Sequence, residues 1–107
     1  MSRAPATRNV LVSGRRTSLR LESVEWEVLH SICSDEEMHL SQLCSIIDQV
    51  RAEMSLTAAV RIFIVSYQRA ELGLESPTVP PSGLLAQFDP NAHRRSLHMV
   101  EALRIFE

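Results

Sequence analysis

From Arg15 to Leu21 the chain alternates strictly between two kinds of side chain. Thr17, Leu19 and Leu21 fall on one side, and Arg16, Ser18 and Arg20 on the other. This period of two predicts a strand with one buried face and one polar face. A strand of about seven residues cannot stand alone, because its edges leave backbone groups unpaired. It is therefore expected to pair antiparallel with its own copy in a dimer and to offer its polar face to a ligand. Upstream, Asn9-Val10-Leu11-Val12 has high strand propensity, and Gly14 is placed for a turn or a bulge. Without such a reset, Val10 and Val12 would share a face with Arg16 and Arg20.

The pattern then changes to a helical period. Ser23 is expected to cap a first helix on which Val24, Val28 and Ile32 recur at i, i+4, i+8, with Trp26, Leu29 and Cys33 in the adjoining rows. The acidic cluster Asp35-Glu36-Glu37 suits a helix C-terminus poorly, so this helix is expected to stop at or before it. A second helix over about 40–51 carries Leu43, Ile46, Ile47 and Val50 on one stripe, against Ser41, Gln42, Ser45, Asp48 and Gln49. A third runs from the N-cap Ser55 to about Glu71. Its centre, from Ala58 to Val65 and including Val60, Phe63 and Ile64, is apolar nearly all round, so it must be buried on more than one side. About 50 helical residues are too few to enclose it, which argues for an obligate dimer.

Residues 72–88 contain three prolines and read as a linker. Asp89-Pro90 offers an N-cap followed by proline at the first helical position, so 89–107 is expected to form an amphipathic C-terminal helix with Leu97, Val100, Leu103 and Phe106 on its apolar side. The organisation expected is a disordered arm at 1–7, a domain at 8–71, the linker, and the tail helix.

Composition adds an asymmetry. All 11 basic residues are arginines, and five of them lie in the first 20 positions, which hold no acid. The remaining 87 residues set six arginines against 13 acids, a net of −7. A basic arm on an acidic body is the distribution expected of a chain that turns one face to phosphates; a solvated basic N-terminus is the plainer reading. Cys33 and Cys44 read as buried, reduced thiols, which together with the absence of a secretory h-region or a long apolar run places the chain in the cytoplasm and off the membrane. The four histidines lack metal-ligand spacing, no carboxylate pair or nucleophile motif is apparent, and no metal, cofactor or enzymatic activity is expected.

The order strand, helix, helix, with arginine and serine on the outer side of the strand, resembles the ribbon-helix-helix DNA-binding proteins. Ser13-Gly14-Arg15-Arg16-Thr17-Ser18-Leu19-Arg20-Leu21-Glu22, with Trp26 and Leu29, is similar to a small bacterial subfamily of that fold. The likeness continues through Leu40-Ser41-Gln42-Leu43, Ile47-Asp48 and Ser55 to Phe63, covering about residues 8–70. It implies a mainly α fold with one short strand: an intertwined homodimer whose two strands form an intermolecular antiparallel ribbon that enters the DNA major groove. By position, Arg16, Ser18 and Arg20 would read bases, and Arg15 with the start of the second helix at His39, Leu40 and Ser41 would hold phosphate. Leu19, Leu21, Trp26, Leu29, Leu43, Ile46, Ile47, Val60, Phe63 and Ile64 would form the dimer core. Two positions depart from the pattern: Glu37 stands where glycine is usual, and His39 where serine or threonine is.

These readings converge on a sequence-specific, homodimeric DNA-binding protein acting as a transcriptional repressor or autoregulator, with double-stranded DNA as its partner. The competing reading is a protein-interaction module or antitoxin-type regulator whose C-terminal tail binds a partner protein.

Overall fold

Two strands, β1 (Ala6–Val12) and β2 (Arg15–Leu21), pair antiparallel within a single chain in a computed structural model that describes residues 5–73, 87–91 and 95–106. Among the described residues four helices with defined bounds follow: α1 (Ser23–Asp35), α2 (Leu40–Val50), α3 (Leu56–Glu71) and α4 (Leu97–Arg104). The two-stranded antiparallel ribbon and the helices after it are as expected, but β2 finds its partner strand, β1, within the same chain. The physical reason is local. The two strand-like runs are separated by only Ser13 and Gly14, and both take left-handed backbone, with φ of 49° and 81°. Positive φ at both central residues makes a two-residue turn whose twist matches a hairpin. This turn also resets the alternation: Val10 lies opposite Thr17 and Val12 opposite Arg15. Val10, Val12, Leu19 and Leu21 all face inward, each no more than 6% exposed. β1 takes in Ala6 and Thr7, which the sequence had assigned to a disordered arm; residues 1–4 of that arm and 74–86 of the linker lie outside the described residues.

The hairpin tip is fastened to α2. Ser13 donates its backbone N–H to Ser45 Oγ at 2.9 Å and its hydroxyl to Asp48 Oδ2 at 2.8 Å, and it accepts from Gln49 Nε2 at 3.1 Å. Asp48 is held in turn by Arg51 Nε at 2.8 Å. The Arg51 hydrogen bond and then the Ser13 hydroxyl bring the Asp48 carboxyl below its ordinary range, against a smaller opposing effect of desolvation. At the other end of the hairpin, Trp26 Nε1 donates to Ala6 O at 2.8 Å.

The N-cap of α1 is Glu22 and not Ser23: Glu22 is extended, and its backbone N–H donates to Glu25 Oε1 at 2.7 Å in a reciprocal capping box. The buried stripe of α1 is Trp26, Leu29, Ile32 and Cys33, and Val24, in the first turn, is 61% exposed. The C-terminus of α1 closes with Glu37 N–H on Ser34 O at 3.2 Å and Met38 N–H on Cys33 O at 3.0 Å, with Met38 buried. This is the Schellman pattern, and Glu37 occupies its left-handed position at φ 54°. The glycine usual in the family at this place would adopt that backbone without strain.

All ten residues expected in the dimer core are buried, and they are buried within one chain. The cover that α3 needed comes from α4, which packs Met99, Val100, Ala102 and Leu103 against it. The need for a second subunit to enclose α3 therefore falls away. α4 is shorter than the helix expected over 89–107. Asp89 does not cap it; Asp89 is buried, and Arg95 grips its carboxylate with Nε at 2.7 Å and Nη2 at 3.2 Å. The N-cap is Ser96, whose hydroxyl accepts from Met99 N–H at 3.2 Å.

Docking of α4 centres on Glu36, a carboxylate only 8% exposed. It accepts the Tyr67 hydroxyl of α3 at 2.7 Å, the Ser96 backbone N–H at 3.1 Å and the Ser96 hydroxyl, while Arg95 Nη1 donates to the Glu36 carbonyl at 3.1 Å. Burial, and then the hydrogen bond to Glu36, push the Tyr67 phenol well above its ordinary value, so it serves as a neutral donor. Cys33 and Cys44 are free and buried, and burial raises their thiols to about 11 and about 12.

Tyr67→Phe leaves a buried carboxylate oxygen short of a partner and is expected to lower the unfolding free energy by about 1–3 kcal/mol in urea titration. Arg61→Ala, which breaks an ion pair to Glu25 with a half-exposed guanidinium, should cost no more than about 0.5 kcal/mol. Glu37→Gly should raise stability by up to about 1 kcal/mol, because glycine carries no penalty at positive φ. For Asp48, a depressed carboxyl contributes stability above its unfolded value, and that contribution is lost as pH falls through the folded value. In thermal melts the wild type should lose stability below about pH 4, and Asp48→Asn should be less stable at neutral pH with a shallower acid limb.

Candidate nucleic-acid interface

The hairpin turns its polar side away from the helices. Arg16, Ser18 and Arg20 of β2 are all exposed there, as the alternation predicted. The register sets Thr7 opposite Arg20, Asn9 opposite Ser18 and Leu11 opposite Arg16, so β1 supplies three further exposed residues to the same surface. These six side chains include two arginines and no carboxylate. Ser18 Oγ donates to Asn9 Oδ1 at 3.0 Å across the two strands. Thr7, Asn9 and Leu11 were not among the sequence-derived candidates. A signal for them was present: two strand-like runs separated by two residues, the second a glycine, is the pattern of a tight hairpin.

The opposite side of the hairpin is not wholly apolar. Arg8 shares it with Val10, and its guanidinium lies 4.9 Å from the Trp26 ring centroid while Nη1 donates to His30 Nε2 at 3.0 Å. Arg8 is thereby held toward α1 and off the outer surface. Arg15 is exposed beside the turn, opposite Val12, and lies on the inner side of the ribbon together with Thr17.

The second group of candidates opens α2. His39 is the N-cap; its backbone N–H donates to Gln42 Oε1 at 2.8 Å, and its carbonyl accepts from Leu43 N–H at 3.1 Å. Leu40 and Ser41 form the first helical positions. This helix end is hemmed in by the tail. Glu36, Glu37, Gln42, Asn91 and Arg95 line a polar recess beside it. Ser41, Ser45 and Gln49 form one wall of a larger cleft of about 460 Å³, whose other wall includes Phe88 and Arg95. The structure therefore gathers the ribbon residues on one surface, and the start of α2 lies beside Glu36, Glu37 and the docked tail, with Ser41 lining the same cleft as Ser13 of the turn.

Among the described residues, no group of three or more histidine, cysteine, aspartate or glutamate side chains is placed to hold a metal ion. No described helix is long and apolar enough to cross a membrane.

A solved structure, that of an uncharacterized protein from Bordetella pertussis Tohama I, has a similar fold, with a TM-score of 0.58 and 27% sequence identity over 85% of this chain and 76% of that one. No curated protein matches the chain significantly. The profile of the ribbon-helix-helix domain matches residues 5–68, a span that takes in both strands of the hairpin, α1, α2 and most of α3. With its ribbon, its first two helices, most of the third and more than half its length accounted for in this way, the chain belongs to the ribbon-helix-helix domain family, a family of DNA-binding regulators.

Proposed function

We propose that this protein is a sequence-specific DNA-binding regulator that represses transcription, its own gene included, by laying the outer surface of the hairpin in a major groove. One observation carries the reading: Arg16, Ser18 and Arg20 stand exposed on a carboxylate-free surface of a two-stranded ribbon whose other side is anchored by the core. A major groove about 12 Å wide admits such a ribbon, and arginine offers a bidentate donor to guanine O6 and N7. Arg15, beside the turn, is placed for phosphate, with His39, Leu40 and Ser41 as a second backbone contact. The regulator acts as a homodimer, the form in which the family typically binds DNA. The alternative of a tail that binds a partner protein loses its main support, since Met99, Val100, Ala102 and Leu103 spend the apolar side of α4 on α3.

Fluorescence anisotropy against random-sequence duplex DNA across a salt series tests this. Binding should weaken steeply with salt, and the triple variant Arg16→Ala, Ser18→Ala, Arg20→Ala should show a shallower slope. On a preferred site, Arg16→Ala or Arg20→Ala alone should each cost about 1–3 kcal/mol with the melting temperature unchanged, since both side chains are exposed. A folded wild type that binds no duplex at low salt would sink the proposal. Sedimentation equilibrium reports on the dimer separately.

A further inference from the structure

We infer that the hairpin reads DNA as an asymmetric ribbon, in which β1 contributes base contacts of its own: Asn9 reads adenine, Leu11 packs on a thymine methyl, and Ser18 is a positioning residue that holds Asn9. This rests on the DNA-binding reading above and extends it to residues that neither the strand pattern nor the family resemblance picked out.

The register supplies the first argument. Three cross-strand pairs, Thr7 with Arg20, Asn9 with Ser18 and Leu11 with Arg16, stand in a row on the outer surface. Directly opposed residues have Cβ atoms about 5 Å apart, so both members of a pair face the same stretch of groove. Residues two apart along a strand are about 6.8 Å from each other, close to two base-pair steps of about 3.4 Å. The row therefore covers about five base pairs. Asn9 stands at its centre, and Arg20 and Arg16 stand about two steps to either side.

The chemistry of the two strands differs. β2 presents guanidinium groups, which suit guanine. β1 presents a hydroxyl, a carboxamide and an apolar side chain, Leu11, which is 53% exposed. Asparagine matches adenine N6 and N7, and an apolar side chain matches the thymine methyl. A ribbon formed by two identical strands about a two-fold axis would carry the same three residues twice; a hairpin within one chain carries two different sets of three.

The Ser18–Asn9 hydrogen bond sets the roles at the centre. Ser18 commits its proton to Asn9 Oδ1 at 3.0 Å. The Asn9 oxygen keeps a second lone pair and its nitrogen keeps two hydrogens, which are the acceptor and donor that adenine requires. Ser18 is left as an acceptor only, and its main effect is to fix which way the carboxamide points.

Selection of binding sites from a random duplex library, followed by anisotropy on the enriched site, tests the inference with wild type, Asn9→Ala, Ser18→Ala and the double variant. Wild type should enrich a core of roughly five base pairs with an adenine at the centre and guanines about two steps away. Asn9→Ala should lose the central adenine, keep the guanines and bind roughly 5- to 150-fold more weakly. Ser18→Ala should bind more weakly by a smaller factor, and the double variant no more weakly than Asn9→Ala, as a positioning role requires. Melting curves should be unchanged, because Asn9 and Ser18 are exposed. An unaltered motif and affinity in Asn9→Ala would overturn the inference while leaving DNA binding standing. Failure of the wild type to enrich any duplex would overturn both.

Discussion

The two left-handed residues of the hairpin turn decide the chemistry of the whole ribbon. In a strand pair the side chains alternate with a period of two, so a slip of one residue would send Arg16, Ser18 and Arg20 inward and the core residues of the strand outward. Ser13 and Gly14 exclude that slip by pairing Val12 with Arg15. Gly14 takes its φ of 81° without steric cost, whereas Ser13 at 49° does not. The compensation is visible: the Ser13 backbone and hydroxyl are engaged by Ser45, Asp48 and Gln49 of α2. The second helix thus works through the turn, fixing the angle at which the outer surface leaves the body. Trp26 holds the other end of the same hairpin, so the ribbon is restrained at both ends by helices that do not share its outer surface.

The body depends on a second polar node, at Glu36. A carboxylate buried where α1 ends would be costly if left unpaired. Here it accepts from Tyr67 and Ser96, and through them it ties α1 to α3 and to the start of α4. Arg95 adds a bond to the carbonyl of the same residue and closes on Asp89, both partners being almost wholly buried. Buried ion pairs of this kind specify geometry more than they add stability. Their effect is to place the tail against α3 and beside the N-terminus of α2. There it narrows the approach to His39, Leu40 and Ser41, a helix end that in isolation would be an open anion site.

What could be read from the chain followed the reach of each signal. Alternation from Arg15 to Leu21 and the helical stripes of α2 and α3 depend on side-chain polarity alone, and the residues they assigned to the core are buried. The outward direction of Arg16, Ser18 and Arg20 came from the same signal. Signals that depend on a single residue were weaker: the N-cap is Glu22 in place of Ser23, and Val24, at the end of the α1 stripe, is exposed. Signals that depend on distant parts of the chain were not visible at all. Nothing near Glu36 shows that Tyr67, 31 positions on, and Ser96, 60 positions on, will satisfy it. The same blindness explains the expectation of an intermolecular ribbon. A strand of this kind needs a partner, and the nearest one is the strand-prone run from Asn9 to Val12, joined to it by the two-residue turn of Ser13 and Gly14.

The hairpin changes what a dimer of this chain has to look like. If β2 also paired with its copy while keeping β1, the result would be a four-stranded sheet. Strands lie about 4.8 Å apart, so its outer strands would be separated by about 14 Å before any side chain is added, which exceeds a major groove of about 12 Å. A ribbon that enters the groove must therefore consist of two strands, and each chain already owns two. Two copies acting together would place one hairpin in each of two groove segments and would join through their helical bodies. On α3, Val65 and Leu72 are more than half exposed and fall on one stripe with Arg61 and Gln68. An association built on helices leaves the two hairpins separate, so the spacing of half-sites would be set by the body while the sequence of each half-site would be set by a single chain.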